Sequence, residues 1–334
     1  MNESLRITRL PAVLANQIAA GEVVERPASV VKELVENALD AGAGRIFVAV
    51  EEGGLGLIQV RDDGVGIAQD QLTLALSRHA TSKLLTFEQL CEVSTLGFRG
   101  EALPSIASVA RVRLVSRRQD DHCAWQVELD GASVTDETPQ PANAPIGTTV
   151  EVRDLFFNTP ARRRFMRTAR TEYLKVEAVI RRTALAHPEV DLSLTRDGRP
   201  HLRARPATDA ATERSRIRDL CGAAFADQAV SFERSSEAMR CYGWIAPPLQ
   251  ARASADVQHI CVNGRVVRDP LLRHALRSAF DDAVAPGRHP AYVIYLDLPV
   301  ADVDVNVHPT KHELRFHDAR TVHDFVWSVV RDVA

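Results

Sequence analysis

The sequence predicts a two-domain α/β protein. Its 334 residues are enough for about two domains, each with a core of its own. Segments with helical spacing of apolar residues alternate with short strand-like runs along the whole chain, and no internal repeat is visible. The stretch 197–216 is polar, arginine-rich and contains prolines. We therefore place a domain boundary near residue 210, which gives domains at 1–210 and 211–334.

The amino-acid composition favours a globular protein over a membrane or secreted protein. The hydrophobic fraction of 45% and the charged fraction of 25% are typical of a globular protein in water. No run approaches the roughly 18 apolar residues of a membrane span, and the N-terminus lacks the pattern of a signal peptide. The five cysteines are scattered and include no Cys-x-x-Cys pair, which favours a reduced, cytoplasmic protein over a disulfide or zinc fold.

The individual elements follow from periodicity and turn residues. The first helix begins at Pro27, carries an apolar stripe and ends in the small residues 41–44. Prolines 139, 141 and 145 indicate a long loop before the strand at 148–155. Further helices are predicted over residues 69–76, 87–92, 102–109, 172–186, 270–284 and 319–333. Strands are predicted over residues 45–51, 57–61, 112–118, 123–129, 148–155, 191–195, 230–233, 239–245, 259–267 and 291–298.

Glu33 and Asn37 lie four residues apart in the first predicted helix, so they share one face of it. A glutamate on a rigid helix can orient a water molecule for attack on a phosphate, and an amide oxygen suits Mg²⁺. Glu33 is therefore a candidate general base and Asn37 a candidate magnesium ligand. The alternative is that Glu33, Glu36 and Asp40 form a solvated acidic face, with Asn37 as a local hydrogen-bonding residue.

The motif Asp62-x-Gly64-x-Gly66 follows the second predicted strand. The Asp62 carboxylate can accept a hydrogen bond from the exocyclic amine of adenine, and the two glycines remove side chains where a base could approach the backbone. Thr148, at the start of a later strand, could offer a hydroxyl to the same base. An Asp-Gly turn and a plain strand start are the structural alternatives.

Two further segments are candidates for holding phosphates, although the chain has neither a P-loop nor a Gly-x-Gly-x-x-Gly motif. One segment precedes a predicted helix, where backbone N–H groups form a phosphate cradle; it comprises Gly97, Phe98, Arg99 and Gly100. The other supplies two hydroxyls and a cation; it comprises Thr81, Ser82 and Lys83. Lys311, on a later loop, can reach across to a terminal phosphate. A flexible loop with a glycine cap is the alternative.

The net charge of −3 gives no global reason to expect nucleic acid, but basic residues are clustered locally. Clustered arginines can bind a phosphate backbone even on an acidic protein. The candidates for DNA contact are Arg162, Arg163, Arg164, Arg265 and Arg268. Solvated helix faces and loops are the alternative for each cluster.

Taken in chain order, these motifs resemble the ATP-binding (GHKL) fold shared by gyrase, ATP-driven chaperones, sensor kinases and MutL proteins. Longer motifs sharpen the resemblance to the MutL family of DNA mismatch-repair proteins. They are NQIAAGEVVERP (16–27), RHATSK (78–83), GFRGEAL (97–103), FNTPAR (157–162) and VDVNVHPTK (303–311). The resemblance runs through essentially the whole chain.

The resemblance implies a GHKL (Bergerat) ATP-binding sandwich of α+β type, followed by an α/β domain similar to domain 2 of ribosomal protein S5. It implies that Glu33 activates water, that Asn37 coordinates Mg²⁺, and that Asp62 binds adenine with support from Thr148. The backbone at 97–100 would hold phosphates, and Lys311 would reach the terminal phosphate from the second domain.

The resemblance also implies a function: a slow, Mg²⁺-dependent ATPase of DNA mismatch repair that forms a homodimer on binding ATP. Its expected partners are DNA, the mismatch-recognition protein MutS and a downstream nuclease or helicase. Family members extend to a C-terminal dimerisation domain, so we expect this chain to be an N-terminal fragment. The competing hypotheses are a non-catalytic, nucleotide-gated DNA clamp and another GHKL ATPase such as a type II topoisomerase subunit.

Overall fold

The computed structural model describes residues 18, 20–21, 23–78, 80–81, 100–131, 138–281, 283–304 and 314–333. Within these residues the chain forms two compact units. One contains the described residues up to Ile180 together with Val190–Arg203, and the other contains Arg181–Glu189 and the described residues from Ala204 onwards. The units interleave in sequence, and the division into domains 1–210 and 211–334 stays a prediction.

An eight-stranded mixed sheet is the frame of the first unit. Its strands are β1 (Arg45–Glu51), β2 (Leu57–Asp62), β3 (Arg111–Arg117), β4 (Ala124–Asp130), β5 (Gln140–Ala142), β6 (Gly147–Arg153), β7 (Asp191–Arg196) and β8 (Arg199–Ala204). They lie in the order β5-β4-β3-β6-β2-β1-β7-β8. Strand β1 pairs antiparallel with β2 and parallel with β7, so this part of the sheet joins a hairpin to a crossover connection.

The helices of the first part of the chain include the one that the Glu33 motif predicts. They are α1 (Pro27–Asp40), α2 (Gln69–Ala75), α3 (Ala102–Val109), α4 (Pro160–Arg164) and α5 (Ala169–Ala186). Helix α1 contacts β1, β2 and α3. Its apolar stripe is buried, and comprises Val30, Val31, Leu34, Val35 and Ala38. Burial of this stripe is the main contribution that holds the helix against the sheet.

The second unit has its own sheet and core. Its elements are α6 (Ala210–Cys221), α7 (Ala223–Ala226), β9 (Val230–Ser235), β10 (Arg240–Ile245), β11 (Gln258–Val262), β12 (Arg265–Val267), α8 (Pro270–Phe280), β13 (Tyr292–Asp297), β14 (Val303–Asp304), β15 (Arg315–Phe316) and α9 (Ala319–Val333). The main sheet has the order β12-β11-β13-β10-β9, and β14 pairs with β15. Helices α8 and α9 contact each other, and their apolar residues join the same buried cluster as those of the sheet. Among the described residues, no helix has the length and apolar character needed to cross a membrane.

One part of the sequence-based assignment is wrong. The region around Pro141 contains strand β5 and not only a loop, and this strand is tolerated because it lies at the edge of the sheet. The arginine-rich stretch 197–216, to which no element is assigned above, contains strand β8 and the start of helix α6. Helix α6 begins where Asp209 Oδ1 accepts hydrogen bonds from the backbone N of Ala211 and Thr212, at 3.0 Å and 2.8 Å. The helix predicted at 87–92 lies outside the described residues.

We expect Leu34→Ala to lower the free energy of unfolding by about 2 to 5 kcal/mol, because it opens a cavity under α1. The Leu34 residue is only 3% exposed. The matched control is Leu74→Ala on α2, where the leucine is 56% exposed and the same truncation should change stability by about 0.5 kcal/mol or less. Urea unfolding followed by circular dichroism measures both. Equal losses in the two variants would contradict the packing of α1 described above.

Candidate nucleotide site

Helix α1 is anchored at its first turn. Pro27 occupies the start of the helix, where its missing N–H costs nothing, and Arg26 before it is extended. The Arg26 guanidinium lies 3.8 Å from the carboxylate of Glu172, which is 1% exposed and belongs to α5. Lys175 of the same helix lies 3.7 Å from this carboxylate and also compensates its charge, and the pair with Arg26 links the start of α1 to α5.

Glu33 and Asn37 both lie within α1, one turn apart and partly exposed, as the spacing predicts. Their neighbour Glu36 is engaged in an ion pair, with 3.6 Å between its carboxylate and the ammonium of Lys32. Among the described residues, the Glu33 carboxylate forms no ion pair of this kind. The two glutamates of this helix therefore differ in their surroundings, although the sequence alone presents them as one acidic face.

Asp62 is held at the end of β2 by two backbone groups. Its Oδ1 accepts hydrogen bonds from the N–H of Gly64, at 2.9 Å, and of Thr148, at 3.2 Å. Burial raises the pKa of Asp62 to about 6, and these two hydrogen bonds offset only part of the effect. The adjacent Asp63 behaves in the opposite way: although burial opposes it, hydrogen bonds from Arg45 hold the pKa of Asp63 below its usual value. The two neighbouring carboxyl groups are thus electrostatically distinct.

Strand β6 begins in direct contact with Asp62. Gly147 has φ +112°, and a Cβ atom there would lie 2.1 Å from the carbonyl oxygen of Asp62. Gly66 has φ +73°, and a Cβ atom there would lie 2.4 Å from the carbonyl oxygen of Arg117. Both positions therefore require glycine for conformation and for space. Protein backbone, in addition to any ligand, accounts for the glycines of this motif.

The loop after Asp62 is also fixed to the C-terminal end of α1. The backbone N–H of Val65 donates to the carbonyl of Ala41 at 3.1 Å, and the N–H of Ala41 donates to the carbonyl of Asn37 at 3.0 Å. A Cβ atom at Gly64 would lie 2.7 Å from the same Ala41 carbonyl. The helix that carries Asn37 and the loop that carries Asp62 are therefore joined at one point.

A buried serine connects this loop to β6. Ser116, on β3, is 0% exposed. Its Oγ accepts a hydrogen bond from the N–H of Ile67 at 2.8 Å, donates to the carbonyl of Gly147 at 3.0 Å, and lies 2.9 Å from Thr148 Oγ1. Sequence reasoning missed Ser116. The available signal was its place after Val112 and Leu114 in the alternation of a buried strand, where a hydroxyl needs a partner.

Gly100, the last residue of one candidate phosphate segment, lies against the residue that precedes the other segment. A Cβ atom at Gly100 would lie 2.4 Å from the carbonyl oxygen of Ala80, the residue before Thr81. The Arg78 guanidinium lies 4.0 Å from the carboxylate of Glu101, and α3 begins directly after it at Ala102. Gly100 therefore precedes a helix, as predicted. The other predicted phosphate-binding residues lie outside the described residues; they are Ser82, Lys83, Gly97, Phe98, Arg99 and Lys311.

The candidate DNA-contacting arginines fall into two groups. Arg162 is partly buried, and a Cβ atom at Gly21 would lie 2.1 Å from its Nη2, so this guanidinium packs against the backbone before α1. Arg265 is 9% exposed. These two side chains have little surface to offer a phosphate backbone. The arginines that are exposed are Arg163, Arg164 and Arg268.

Comparison with known proteins shows the family to which the chain belongs. It is 53% identical over 323 residues to DNA mismatch repair protein MutL of Cellvibrio japonicus (strain Ueda107), which covers 97% of this chain and 51% of that protein. It is 53% identical over 333 residues to MutL of Azotobacter vinelandii, covering 100% of this chain and 52% of that protein. The chain belongs to the MutL family of DNA mismatch-repair proteins. It spans about half the length of these curated relatives.

Family models divide this member of the family in two. Residues 25–155 match the model described as histidine kinase-, DNA gyrase B- and HSP90-like ATPase. Residues 217–334 match the model described as DNA mismatch repair protein, C-terminal domain. The first match includes Glu33, Asn37 and Asp62, so these three residues lie within an ATPase domain of the GHKL class.

Solved structures confirm the predicted GHKL fold. An N-terminal domain of a DNA repair protein superimposes with a TM-score of 0.80 at 27% identity, covering 96% of this chain and 97% of that chain. The MutL ATPase domain of Aquifex aeolicus, solved with ADP, gives a TM-score of 0.62 at 28% identity over 83% of this chain and 93% of that one. The ATP-binding domain of topoisomerase IV from Francisella tularensis shares the fold at 12% identity, with a TM-score of 0.56 and coverage of 96% and 90%.

We expect Asp62→Asn to stabilise the protein by about 1 to 2 kcal/mol at pH 7, because it removes a carboxylate that burial disfavours. Since the pKa of Asp62 is raised from 3.8 to about 6, the native state binds more protons than the unfolded state between those values. Stability from this group therefore falls as pH rises through that window, and the difference between variant and wild type should vanish near pH 4. Urea unfolding at pH 4 and pH 7 measures it.

Asp63→Asn is the matched control for that measurement. It removes a carboxylate whose pKa is lowered, so it should destabilise the protein slightly at pH 7. The same sign for both variants would show that the electrostatic difference between the two carboxyl groups is not real.

Proposed function

We propose that this chain binds ATP with Mg²⁺ and hydrolyses it slowly, as the ATPase part of a cytoplasmic DNA mismatch-repair protein. Nucleotide binding would bring two copies together, and the dimer would contact DNA, the mismatch-recognition protein MutS and a downstream nuclease or helicase. The observation that supports nucleotide binding best is the position of Asp62, a partly buried carboxylate fixed by two backbone hydrogen bonds beside the end of the helix that carries Glu33 and Asn37. The ADP held by the Aquifex relative supports the same class of ligand.

Asp62 is the group that would recognise the base. An ionised carboxylate only accepts hydrogen bonds, and the exocyclic amine of adenine donates them. Because Oδ1 already accepts two backbone N–H groups, Oδ2 is the oxygen suited to the ligand. A donor from adenine would also stabilise a charge that burial disfavours, so the base and the carboxylate suit each other.

Glu33 is the group that would act on water. Its carboxylate would take a proton as the water oxygen bonds to the terminal phosphorus and the bond to the ADP oxygen breaks. Helix α1 is anchored at both ends, by Arg26 at its start and by Val65 after it, which suits a base that must hold its position. The backbone at 97–100, Thr81 to Lys83 and Lys311 complete the proposed phosphate contacts.

Asn37 fits a magnesium site. It is a neutral oxygen donor, partly exposed on the same helix, and Mg²⁺ usually takes one or two protein oxygens together with phosphates and water. When bound, the ion would neutralise phosphate charge. The protein contribution is to place the amide one turn from Glu33, so that metal binding and water activation occur on one rigid element.

We expect Glu33→Ala to lower ATP turnover by a factor of about 100 or more while ATP still binds. The substitution removes the general base but leaves Asp62 and its hydrogen bonds unchanged. A phosphate-release assay measures turnover and calorimetry measures binding. The control is Glu36→Ala on the same helix, whose carboxylate is paired with Lys32 and should be dispensable. Unchanged turnover in Glu33→Ala would contradict the assignment, and absence of turnover in the wild type would favour a non-catalytic clamp.

In the second unit, the exposed Arg268 is the candidate for contact with DNA. Burial and the nearby charge of Arg268 lower the pKa of Arg182. Burial lowers the pKa of His259 to about 4, together with Arg182 and Arg181, and Asp256 offsets this only in part. The positive charge of Arg268 would attract an anionic ligand such as a phosphate group. Exposed Arg163 and Arg164 are the candidates in the first unit.

We expect Arg268→Ala to weaken DNA binding and to reduce the slope of log affinity against log salt by about 1, because one phosphate contact is lost. Fluorescence anisotropy of labelled DNA across a salt series measures the slope. The control is Arg320→Ala, which removes an arginine that is equally charged and whose side chain is 93% exposed on α9. An unchanged slope in Arg268→Ala would remove this residue from the DNA surface.

A further inference from the structure

The hydroxyl of Ser116 has a fixed hydrogen-bonding direction. It lies near three groups, and two of them can act in only one way: the N–H of Ile67 donates, and the carbonyl of Gly147 accepts. A serine hydroxyl has one proton, and here it goes to the Gly147 carbonyl at 3.0 Å. The third neighbour, Thr148 Oγ1 at 2.9 Å, must then donate its own proton to Ser116 Oγ.

This direction determines what Thr148 can offer a ligand. Its only hydroxyl proton is used on Ser116, so the remaining lone pairs of Oγ1 can accept but the group cannot donate elsewhere. The backbone N–H of Thr148 is bonded to Asp62 Oδ1 at 3.2 Å, which places the threonine beside the candidate base-binding carboxylate. The site therefore presents two acceptors, a carboxylate and an oriented hydroxyl, next to each other.

Two adjacent acceptors distinguish the purines at position 6. The amino group of adenine has two protons to donate, whereas the carbonyl of hypoxanthine or guanine would face the lone pairs of both acceptors. We propose that Ser116 is a positioning residue that makes the base site selective for 6-amino over 6-oxo purines by holding Thr148 as an acceptor. This inference rests on the proposed nucleotide-binding function and adds a residue that does not itself touch the base.

A purely structural role for Ser116 makes a different prediction. Its hydroxyl also joins the loop at Ile67 to the start of β6 at Gly147, so its loss should weaken binding of every nucleotide. Loss of the orienting bond does more: the Thr148 hydroxyl becomes able to turn and donate to a 6-oxo group. The ratio of two affinities therefore separates the roles, because a general loosening cancels in the ratio.

The experiment measures binding of ADP and of IDP, which carries a 6-oxo group, to the whole chain by calorimetry with Mg²⁺ present. The wild type should bind ADP more tightly than IDP. In Ser116→Ala the ratio of the two dissociation constants should fall about fivefold, which is the worth of about one hydrogen bond. Ser116→Thr restores a hydroxyl and should restore the ratio.

Further variants separate the positioning role of Ser116 from other effects of losing its hydroxyl. Thr148→Val removes the oriented group, and in that background Ser116→Ala should leave the ratio unchanged. Ser108→Ala is the control, since it removes another buried serine hydroxyl, bonded to the Ser105 carbonyl at 2.8 Å, and should not move the ratio. If Ser116→Ala does not fold, Ser116→Cys carries the same expectation, because a thiol is a poor hydrogen-bonding partner.

The outcomes are distinguishable. A wild type that binds neither nucleotide would contradict the proposed function itself. A wild type that prefers ADP, with Ser116→Ala weakening ADP and IDP by the same factor, would overturn only the positioning role. A ratio that falls in the single variant, recovers with threonine and stays constant in the Thr148→Val background would establish it.

Discussion

A single carboxylate oxygen, Asp62 Oδ1, organises the candidate site. It joins the end of β2, the turn at Gly64 and the start of β6 at Thr148 through two backbone hydrogen bonds. Burial makes its charge costly, and the raised pKa shows that these bonds do not remove the cost. The ionised Asp62 carboxylate therefore lowers the stability of the folded protein, and a bound hydrogen-bond donor would offset that cost. Groups with shifted pKa values are common at functional sites.

Close backbone approach is the second constraint, and it makes distant motifs into one structural unit. Gly147 lies against Asp62, and Gly64 lies against Ala41. Both positions require glycine, because a side chain at either would collide with a carbonyl oxygen. The Asp-x-Gly-x-Gly motif and the Gly-Thr pair at 147–148 are separated widely in sequence but pack on each other. Substitutions in the Asp-x-Gly-x-Gly loop would disturb its contacts with the start of β6 and with the end of α1.

Features that depend on local sequence patterns could be predicted, whereas features that depend on packing between distant segments were missed. The amphipathic stripe of α1 and the glycine motif after β2 were sufficient to predict the helix and the turn that follows β2. Strand β5 was missed because its proline is acceptable only at a sheet edge, and an edge is a property of the whole sheet. Ser116 was missed because its role comes from Thr148, which lies far away in sequence and meets it only when β3 pairs with β6.

The same anchors serve recognition and chemistry. Helix α1 is fixed to α5 by the ion pair of Arg26 with Glu172 and to the Asp62 loop by the hydrogen bond of Val65 with Ala41. Glu33 and Asn37 lie between these two points, on a helix whose apolar face is buried against the sheet. A change that moved the base-binding loop would therefore shift the end of the helix that carries the candidate base and metal ligand. Binding energy from the purine can in this way be used to position the group proposed to act on the phosphate.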